Sequence, residues 1–146
     1  MSGFLLDTNV PSELIRVRPE SRVVDWLEAA NNEELFVSVV TIGELKKGFT
    51  ILRESKRRTY FEDWLKNDLL PWFEGRILSV TQAIAERWGI LDGESQLRGI
   101  PLNTADGLIA ATALEHNLMV VTRNVKDFAG LGVQVFNPWE GDSVTR

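Results

Sequence analysis

The sequence contains no cysteine and only one histidine, and these two shortages exclude several kinds of site. Without cysteine there is no disulfide, no thiolate zinc site and no cysteine nucleophile, and we expect a reducing, cytoplasmic location. The single histidine, His116, cannot build a multi-histidine metal centre. A Ser-His-Asp triad would need this same residue, which lies at the far end of a predicted helix from the candidate acid Asp106.

Long apolar runs and phosphate-binding loops are also missing. No apolar run approaches the ~20 residues of a membrane-spanning helix, and no basic region precedes the short apolar stretch at the start. We therefore expect neither a membrane protein nor a secretory signal. No G-x-x-x-x-G-K-[ST] sequence occurs, which excludes a P-loop nucleotide hydrolase.

The chain has no excess of positive charge. Its 16 basic and 21 acidic residues give a net charge of −5, which argues against a protein that coats nucleic acid non-specifically. A nucleic-acid enzyme is still compatible with this charge, because carboxylates that hold metal ions contribute the same sign. Basic residues gather at 16–22 and 46–58, and a solvated helix face is the favoured interpretation of either group.

The pattern of apolar residues predicts alternating strands and helices in one domain over residues 1–146, with its core at about 3–139 and a short C-terminal tail. We predict strands at about 4–6, 35–40, 77–80, 118–122 and 133–136, and helices beginning near Pro11 and at about 20–30, 41–54, 57–70, 81–97 and 104–116, with Pro71 ending the helix 57–70. This alternation predicts an α/β sandwich with a mainly parallel sheet covered on both faces.

Acidic side chains follow several of these strands. Asp7 comes directly after the first strand, and Glu44 lies in the first turn of the helix after the second. Asn124 and Asp127 follow the strand 118–122, and Asp106 opens a helix that runs antiparallel to that strand. Because the carboxyl ends of parallel strands share one edge of the sheet, we expect these side chains to converge. Their hard oxygen donors suit Mg²⁺ or Mn²⁺ rather than zinc.

Each acid also has a purely structural interpretation. Glu44 could complete a capping box that begins at Thr41. Asp106 could stabilise the positive end of its helix, and Asp7 and Asn124 could cap neighbouring turns. Carboxylates crowded at one point repel one another unless a cation neutralises them. The expected convergence of all four acids therefore favours a metal site.

Four segments carry a resemblance to a known family. They are FLLDTN at 4–9, SVVTIGEL at 38–45, ADGLIAATA at 105–113 and VTRNVKDF at 121–128, and the ending VFNPW at 135–139 adds to them. In this order and spacing they resemble the PIN domain, and specifically the toxin nucleases of the VapC and FitB type. The resemblance implies a single-domain, three-layer α/β/α sandwich with a mainly parallel central sheet.

The resemblance also implies a Mg²⁺-dependent (or Mn²⁺-dependent) endoribonuclease that acts as the toxin of a toxin–antitoxin pair. Asp7, Glu44 and Asp106 match the first three acids of the family and would bind the metal. At the fourth position many relatives have Thr-Arg-Asp, whereas this chain has the sequence TRN at 122–124. Asp127 then supplies the fourth catalytic acid, or Asn124 takes its place through the amide carbonyl.

Other polar residues lie around these acids in the sequence. Thr8, Asn9 and Thr122 could orient carboxylates or the scissile phosphate, and helix or turn capping is an equally good interpretation of all three. Arg123 could contact phosphate or form a structural ion pair. Their positions directly after the first and fourth predicted strands make them candidates for the same edge of the sheet.

The implied partners are an RNA substrate, a cognate antitoxin and a second copy of the chain, with operator DNA bound only through the antitoxin and no membrane. A groove for an antitoxin helix or tail, and a homodimer contact, are expected near residues 41–70, because this region has more bulky apolar side chains than the core of one short helix pair needs. These side chains are Trp64, Leu65, Leu69, Leu70, Trp72 and Phe73. Two alternative functions are a PIN-like subunit that acts mainly in an antitoxin-dependent DNA-binding repressor complex, and a phosphatase acting on small phosphoesters.

Overall fold

The protein is described here from a computed structural model, which covers residues 3–140 and the backbone of residues 144–145. The strands are β1 Phe4–Leu6, β2 Leu35–Ser38, β3 Ile77–Leu78, β4 Met119–Val121, β5 Val135–Phe136 and β6 Val144–Thr145. The helices are α1 Asn9–Glu13, α2 Ser21–Ala29, α3 Val39–Ile51, α4 Lys56–Trp64, α5 Leu70–Trp72, α6 Gln82–Leu97 and α7 Thr104–His116. Short 3₁₀ turns occupy Asn32–Glu34 and Val125–Phe128.

The six strands form one sheet in the order β3-β2-β1-β4-β5-β6. The first five are parallel, and β6, which the sequence did not predict, pairs antiparallel with β5. β1 lies between β2 and β4, and the Asp7 amide extends this pairing by donating to the Val121 carbonyl at 2.9 Å. The carboxyl ends of three neighbouring strands therefore meet at one edge, which confirms the predicted parallel sheet.

The sheet is covered on both faces because successive strand residues point to opposite sides. Leu6 and Val121 face the core shared with α1 to α5, whereas Leu5 and Val120 face α7. α6 packs outside this second layer, with Leu91 against its core. These two cores confirm the three-layer α/β/α sandwich. Within the described residues, no helix is both long and apolar enough to cross a membrane.

The start of α3 differs from the prediction in a way that affects the site. The strand expected to run to residue 40 ends at Ser38, whose hydroxyl accepts a hydrogen bond from the Val40 amide at 3.0 Å. Ser38 is therefore the N-cap, and Thr41 lies inside the first turn with its side chain buried. The capping box between Thr41 and Glu44 is wrong, so the Glu44 carboxylate is not committed to the start of its own helix.

The helix expected to end before Pro71 continues to Trp72. A π-helical turn over Leu65–Leu69 joins α4 to α5. In a regular helix the ring of Pro71 would clash with the carbonyl four residues earlier, and a wider π turn loosens that region.

The segment 64–73 leaves less apolar surface outside the core than the sequence suggested. Leu65, Leu69 and Phe73 are buried, and Trp64, Leu70 and Trp72 pack against the same core. The core therefore accounts for much of the apolar surface at 64–73, and the interface expected near residues 41–70 stays a prediction.

Candidate active site

The edge of the sheet at which β2, β1 and β4 end is called the acidic edge here, because Asp7, Glu44, Asp106 and Asp127 lie around it. Asp7 is buried at its centre. Its side chain lies directly after β1 and is only 5% exposed. The carboxylate accepts three hydrogen bonds. The Thr122 hydroxyl donates to Oδ2 at 2.7 Å, and so does the Asn9 side-chain amide at 3.3 Å. The Thr8 backbone amide donates to Oδ1 at 2.8 Å. Burial raises the pKa of Asp7, and the bonds from Thr122 and Thr8 oppose that rise. The nearby charges of Glu44 and Asp127 raise it further. The helix α1 has Thr8 as its N-cap, so Asp7 is not a helix cap.

Glu44 reaches the same edge from α3. Its carboxylate accepts a short hydrogen bond from the Thr8 hydroxyl. The Thr8 hydroxyl oxygen also lies 3.1 Å from that of the buried Thr41. This contact ties the residue after Asp7 to the helix that carries Glu44. Thr8 thereby links two of the three acids that the sequence predicted as metal ligands.

Asp106 stands in the first turn of α7. The Asn103 side chain caps this helix by accepting from the Asp106 amide at 3.2 Å, which leaves the Asp106 carboxylate free to face the acidic edge. Burial, followed by the charges of Asp7, Asp127 and Glu44, raises the pKa of Asp106 to about 6. Asp106 therefore lies close enough to the other three acids for their charges to affect it, in agreement with the expected convergence.

Asp127 and Asn124 follow β4 but differ in their surroundings. Asp127 lies in the 3₁₀ turn, and its charge acts on both Asp7 and Asp106. The Asn124 backbone amide donates to the Thr122 hydroxyl at 2.9 Å, whereas its side chain does not cap the turn. The predicted capping role of Asn124 is therefore wrong. Asp127 is the residue that adds charge to the cluster.

Asn9 and Arg123 connect the acidic edge to neighbouring parts of the chain. The Asn9 amide nitrogen bonds Asp7 and lies 3.4 Å from the Thr122 hydroxyl, and its oxygen accepts from the Arg123 backbone amide at 3.3 Å. The Arg123 guanidinium lies over the Trp139 ring at 5.6 Å. Among the described residues Arg123 forms no ion pair. This cation–π contact is an interaction that neither sequence interpretation of Arg123 included.

The donor chemistry of the cluster fits a hard divalent cation. All four acids offer carboxylate oxygens, and within residues 3–140 none of the four forms an ion pair with a lysine or arginine. Their mutual repulsion is thus left for a cation to relieve. In the same described part of the chain, no three His, Asp or Glu side chains are arranged to hold an ion as they stand. Binding an ion would therefore require the carboxylates to rearrange.

Comparison with known proteins decides the family. A model of the PIN domain matches residues 4–132. This chain belongs to the PIN domain family. The PIN domain described here is 39% identical to "Toxin FitB" of Neisseria gonorrhoeae over 136 residues, which cover 93% of this chain and 98% of that protein. It is 38% identical to "VapC ribonuclease Y4jK" of Sinorhizobium fredii over 137 residues, covering 94% and 98%. The resemblance to toxins of the VapC and FitB type is confirmed.

A solved structure shares the fold closely. The structure of FitAB bound to an IR36 DNA fragment superposes on this PIN domain with a TM-score of 0.88 at 36% sequence identity. The match covers 96% of this chain and 98% of that chain. The match therefore extends over nearly all of the sheet and helices described above.

Sequence reasoning missed Gly107, which sets the position of Asp106 in this PIN domain. A Cβ at Gly107 would lie 2.8 Å from Trp88 Cδ1 and 3.0 Å from Leu102 Cδ2. The Trp88 indole nitrogen is buried there and has no hydrogen-bond partner within the described residues. α6 and α7 can approach this closely only because residue 107 has no side chain. The signal that the sequence offers is a glycine directly after the candidate acid.

We expect Gly107→Ala to destabilise the fold by about 1–3 kcal/mol, because the added methyl pushes the start of α7 away from Trp88. Gly89→Ala on α6 is the matched control. A Cβ at Gly89 meets nothing within 4 Å, so this change should stabilise by roughly 0.5–1 kcal/mol. Urea denaturation measures both values. Equal stabilities of the two variants would show that the close approach of α6 and α7 does not depend on Gly107.

Proposed function

We propose that this PIN domain is a metal-dependent endoribonuclease that cleaves RNA phosphodiester bonds at the acidic edge and acts as the toxin of a toxin–antitoxin pair. The observation that carries the proposal is the convergence of four carboxylates at one edge of the sheet, none of which pairs with a lysine or arginine among the described residues. Relatives that match nearly the whole chain are named toxin and VapC ribonuclease, which supports the same conclusion.

Mg²⁺ or Mn²⁺ is the proposed cofactor, and Asp7 and Asp106 are its proposed direct ligands, with Glu44 binding directly or through water. When bound, the ion would stabilise negative charge on the phosphoryl oxygens and lower the pKa of its water. The protein's own contribution is orientation. The hydrogen bonds from Thr122 and the Thr8 amide orient the Asp7 carboxylate and favour its ionised form, against the effect of burial. Within residues 3–140 no hydrogen bond is donated to the Asp106 carboxylate, so it can adjust to the ion.

Cleavage of RNA tests the proposal directly. The purified chain should cut a mixed-sequence single-stranded RNA in Mg²⁺ or Mn²⁺ and should lose this activity in EDTA. The Asp106→Asn variant, purified in the same way, controls for contaminating nucleases and should be inactive. A mutant preparation as active as the wild type would contradict the proposed site.

The fourth position can be assigned by two single substitutions. We expect Asp127→Asn to reduce cleavage about 10–100-fold, since Asp127 adds charge beside Asp7 and Asp106. Asn124→Ala should leave cleavage nearly unchanged, because its backbone amide, which the substitution keeps, makes the bond to Thr122. Initial rates on one RNA at saturating metal measure the difference. The reverse order would assign the fourth position to Asn124, and two active variants would show that three acids suffice.

The second candidate function is a subunit of a DNA-binding repressor complex. It is favoured by the match to FitAB, which was solved on a DNA fragment. In this proposal the antitoxin contacts operator DNA, because this chain has a net charge of −5. Gel-shift assays with the product of an adjacent short reading frame, with and without this chain, test the assembly. If this chain and the gene product bind DNA together, and this chain alone cleaves no RNA, the repressor function is favoured over the toxin function.

Inhibition by a partner and self-association are parts of the same proposal. An antitoxin would reach the acidic edge with an arginine or lysine that competes with metal for the carboxylates. Cleavage should then fall as the adjacent gene product is titrated in. A homodimer is proposed for the isolated chain, and sedimentation across micromolar concentrations tests it. A strict monomer whose cleavage ignores that product would contradict both statements.

A further inference from the structure

A cavity of about 310 Å³ opens beside the acidic edge. It lies between the connection from α6 to α7 and the 3₁₀ turn with the residues after it. Asp106 and Asp127 contribute to its wall, so the cavity is continuous with the proposed catalytic site. Its volume is at the small end of the ~300–1,000 Å³ range of pockets that bind small ligands.

Two cations also line this cavity, Arg98 from the end of α6 and Lys126 from the 3₁₀ turn. The described residues form four ion pairs, and neither cation takes part in them. In the described part of the chain, the side chain of Arg98 forms one hydrogen bond, a long contact of 3.4 Å from its Nη2 to the hydroxyl of the buried Ser95. Positive and negative side chains thus share one cavity without neutralising each other, which leaves the cations available to an anionic ligand.

The rest of the lining is partly apolar. Ile100 is 62% exposed although it is a large aliphatic residue, and Pro101 stands beside it in the same wall. Neither side chain belongs to the two hydrophobic cores. Apolar surface next to cations suits a nucleotide, whose base or ribose can pack against the former while its phosphate binds the latter.

We propose that this cavity binds one nucleotide of the RNA next to the scissile phosphate, and that Lys126 and Arg98 bind the backbone phosphate of that nucleotide. The inference rests on the proposed ribonuclease function. It assigns a binding role to two residues outside the acidic cluster. It also orients the RNA in the cavity, because the bond is cut at the end that the carboxylates line.

Two charge-removing variants, Lys126→Gln and Arg98→Gln, test the proposal, with Lys66→Gln as the matched control. Lys66 lies on the π turn, whose leucines pack on the opposite face of the sheet from α7. Either cavity variant should raise the KM for a short single-stranded RNA about tenfold, as expected for one charge-assisted contact, with little change in kcat. The slope of log affinity against log salt should fall by about 0.7 per lost phosphate contact. Lys66→Gln should behave as wild type.

A steric variant gives an independent measurement. Ala129 is exposed and lines the cavity, so Ala129→Leu should fill it without entering the core. KM should rise, while the shift in melting temperature caused by Mn²⁺ should match that of the wild type. Fluorescence anisotropy with a labelled RNA in EDTA reports binding separately from cleavage.

The possible outcomes separate this inference from the proposed function. A wild type that neither binds nor cleaves RNA would overturn both. A wild type that cleaves, with cavity variants indistinguishable from Lys66→Gln in KM and salt slope, would overturn the nucleotide site alone. Loss of inhibition by the adjacent gene product with an unchanged KM would also overturn it, because the cavity would then bind a protein segment.

Discussion

Replacing Asp106 with asparagine is expected to abolish RNA cleavage and, in metal-free buffer at neutral pH, to raise the melting temperature. The loss of activity should exceed ~100-fold, since even groups that only orient metal ligands typically contribute 10–100-fold. The gain in stability has a different origin. Asp7, Asp127 and Glu44 repel the Asp106 carboxylate, and the neutral amide removes this repulsion.

The pH dependence of that gain follows from the raised pKa. The folded protein holds a proton on Asp106 up to about pH 6, whereas the unfolded chain releases it near pH 3.8. Between these values the folded state binds more protons, so the contribution of Asp106 to stability falls as pH rises. Asp106 is partly exposed and solvent screens its charge, so we expect a gain of only about 2–4 °C for Asp106→Asn at pH 7–8. The difference should disappear near pH 4.

Bound metal should make the wild type more stable than Asp106→Asn, which is the reverse of the order expected without metal. A ligand at a hundredfold excess over its dissociation constant stabilises the folded state by about 2.7 kcal/mol. Wild type should therefore melt above Asp106→Asn in saturating Mn²⁺ and below it in EDTA. Thermal melts at pH 7.5 in both buffers measure the crossing. Equal metal-induced shifts in the two proteins would contradict the assignment of Asp106 as a ligand.

The general position of the acids was predictable because it depends on few rules. Short apolar runs alternating with helical patterns predict parallel strands. Acids that follow such strands, or that begin a helix antiparallel to one of them, are expected to share an edge of the sheet. In the structure the charges of Glu44 and Asp127 act on both Asp7 and Asp106. The ends of β1 and β4 required no knowledge of tertiary contacts, because the polar residues Asp7 and Thr122 interrupt the apolar runs there.

The details that failed depend on tertiary contacts. Ser38 and Thr41 both favour a helix start, and β2 ends at Ser38 because it pairs there with the short β3. The helix interrupted by Pro71 continues because a π turn precedes it and its leucines are needed in the core. Gly107 opposite Trp88 is a contact between two helices, and the sequence of either helix alone does not specify it.

Removing the Thr122 hydroxyl is the second change with a large expected effect. This side chain is fully buried, donates to Asp7 at 2.7 Å and accepts from the Asn124 amide at 2.9 Å. Thr122→Val keeps the shape but removes both bonds. We expect cleavage to fall about 10–100-fold and stability to fall by about 1–3 kcal/mol. Loss of the Thr122 bond should also raise the pKa of Asp7 further, so activity should begin at a higher pH than in the wild type.

Two variants isolate the hydroxyl as the cause. Thr122→Ser keeps the oxygen and should retain most of the cleavage and the pH profile of the wild type. Thr112→Val removes another buried hydroxyl, which bonds the Leu108 carbonyl at 2.7 Å within α7, and should change stability without changing the pH profile. A Thr122→Val enzyme with the wild-type pH profile would show that Asp7 does not depend on this bond for its charge. Since Thr122 follows β4 and Asp7 follows β1, the pairing of these two strands is what brings the hydroxyl to the carboxylate.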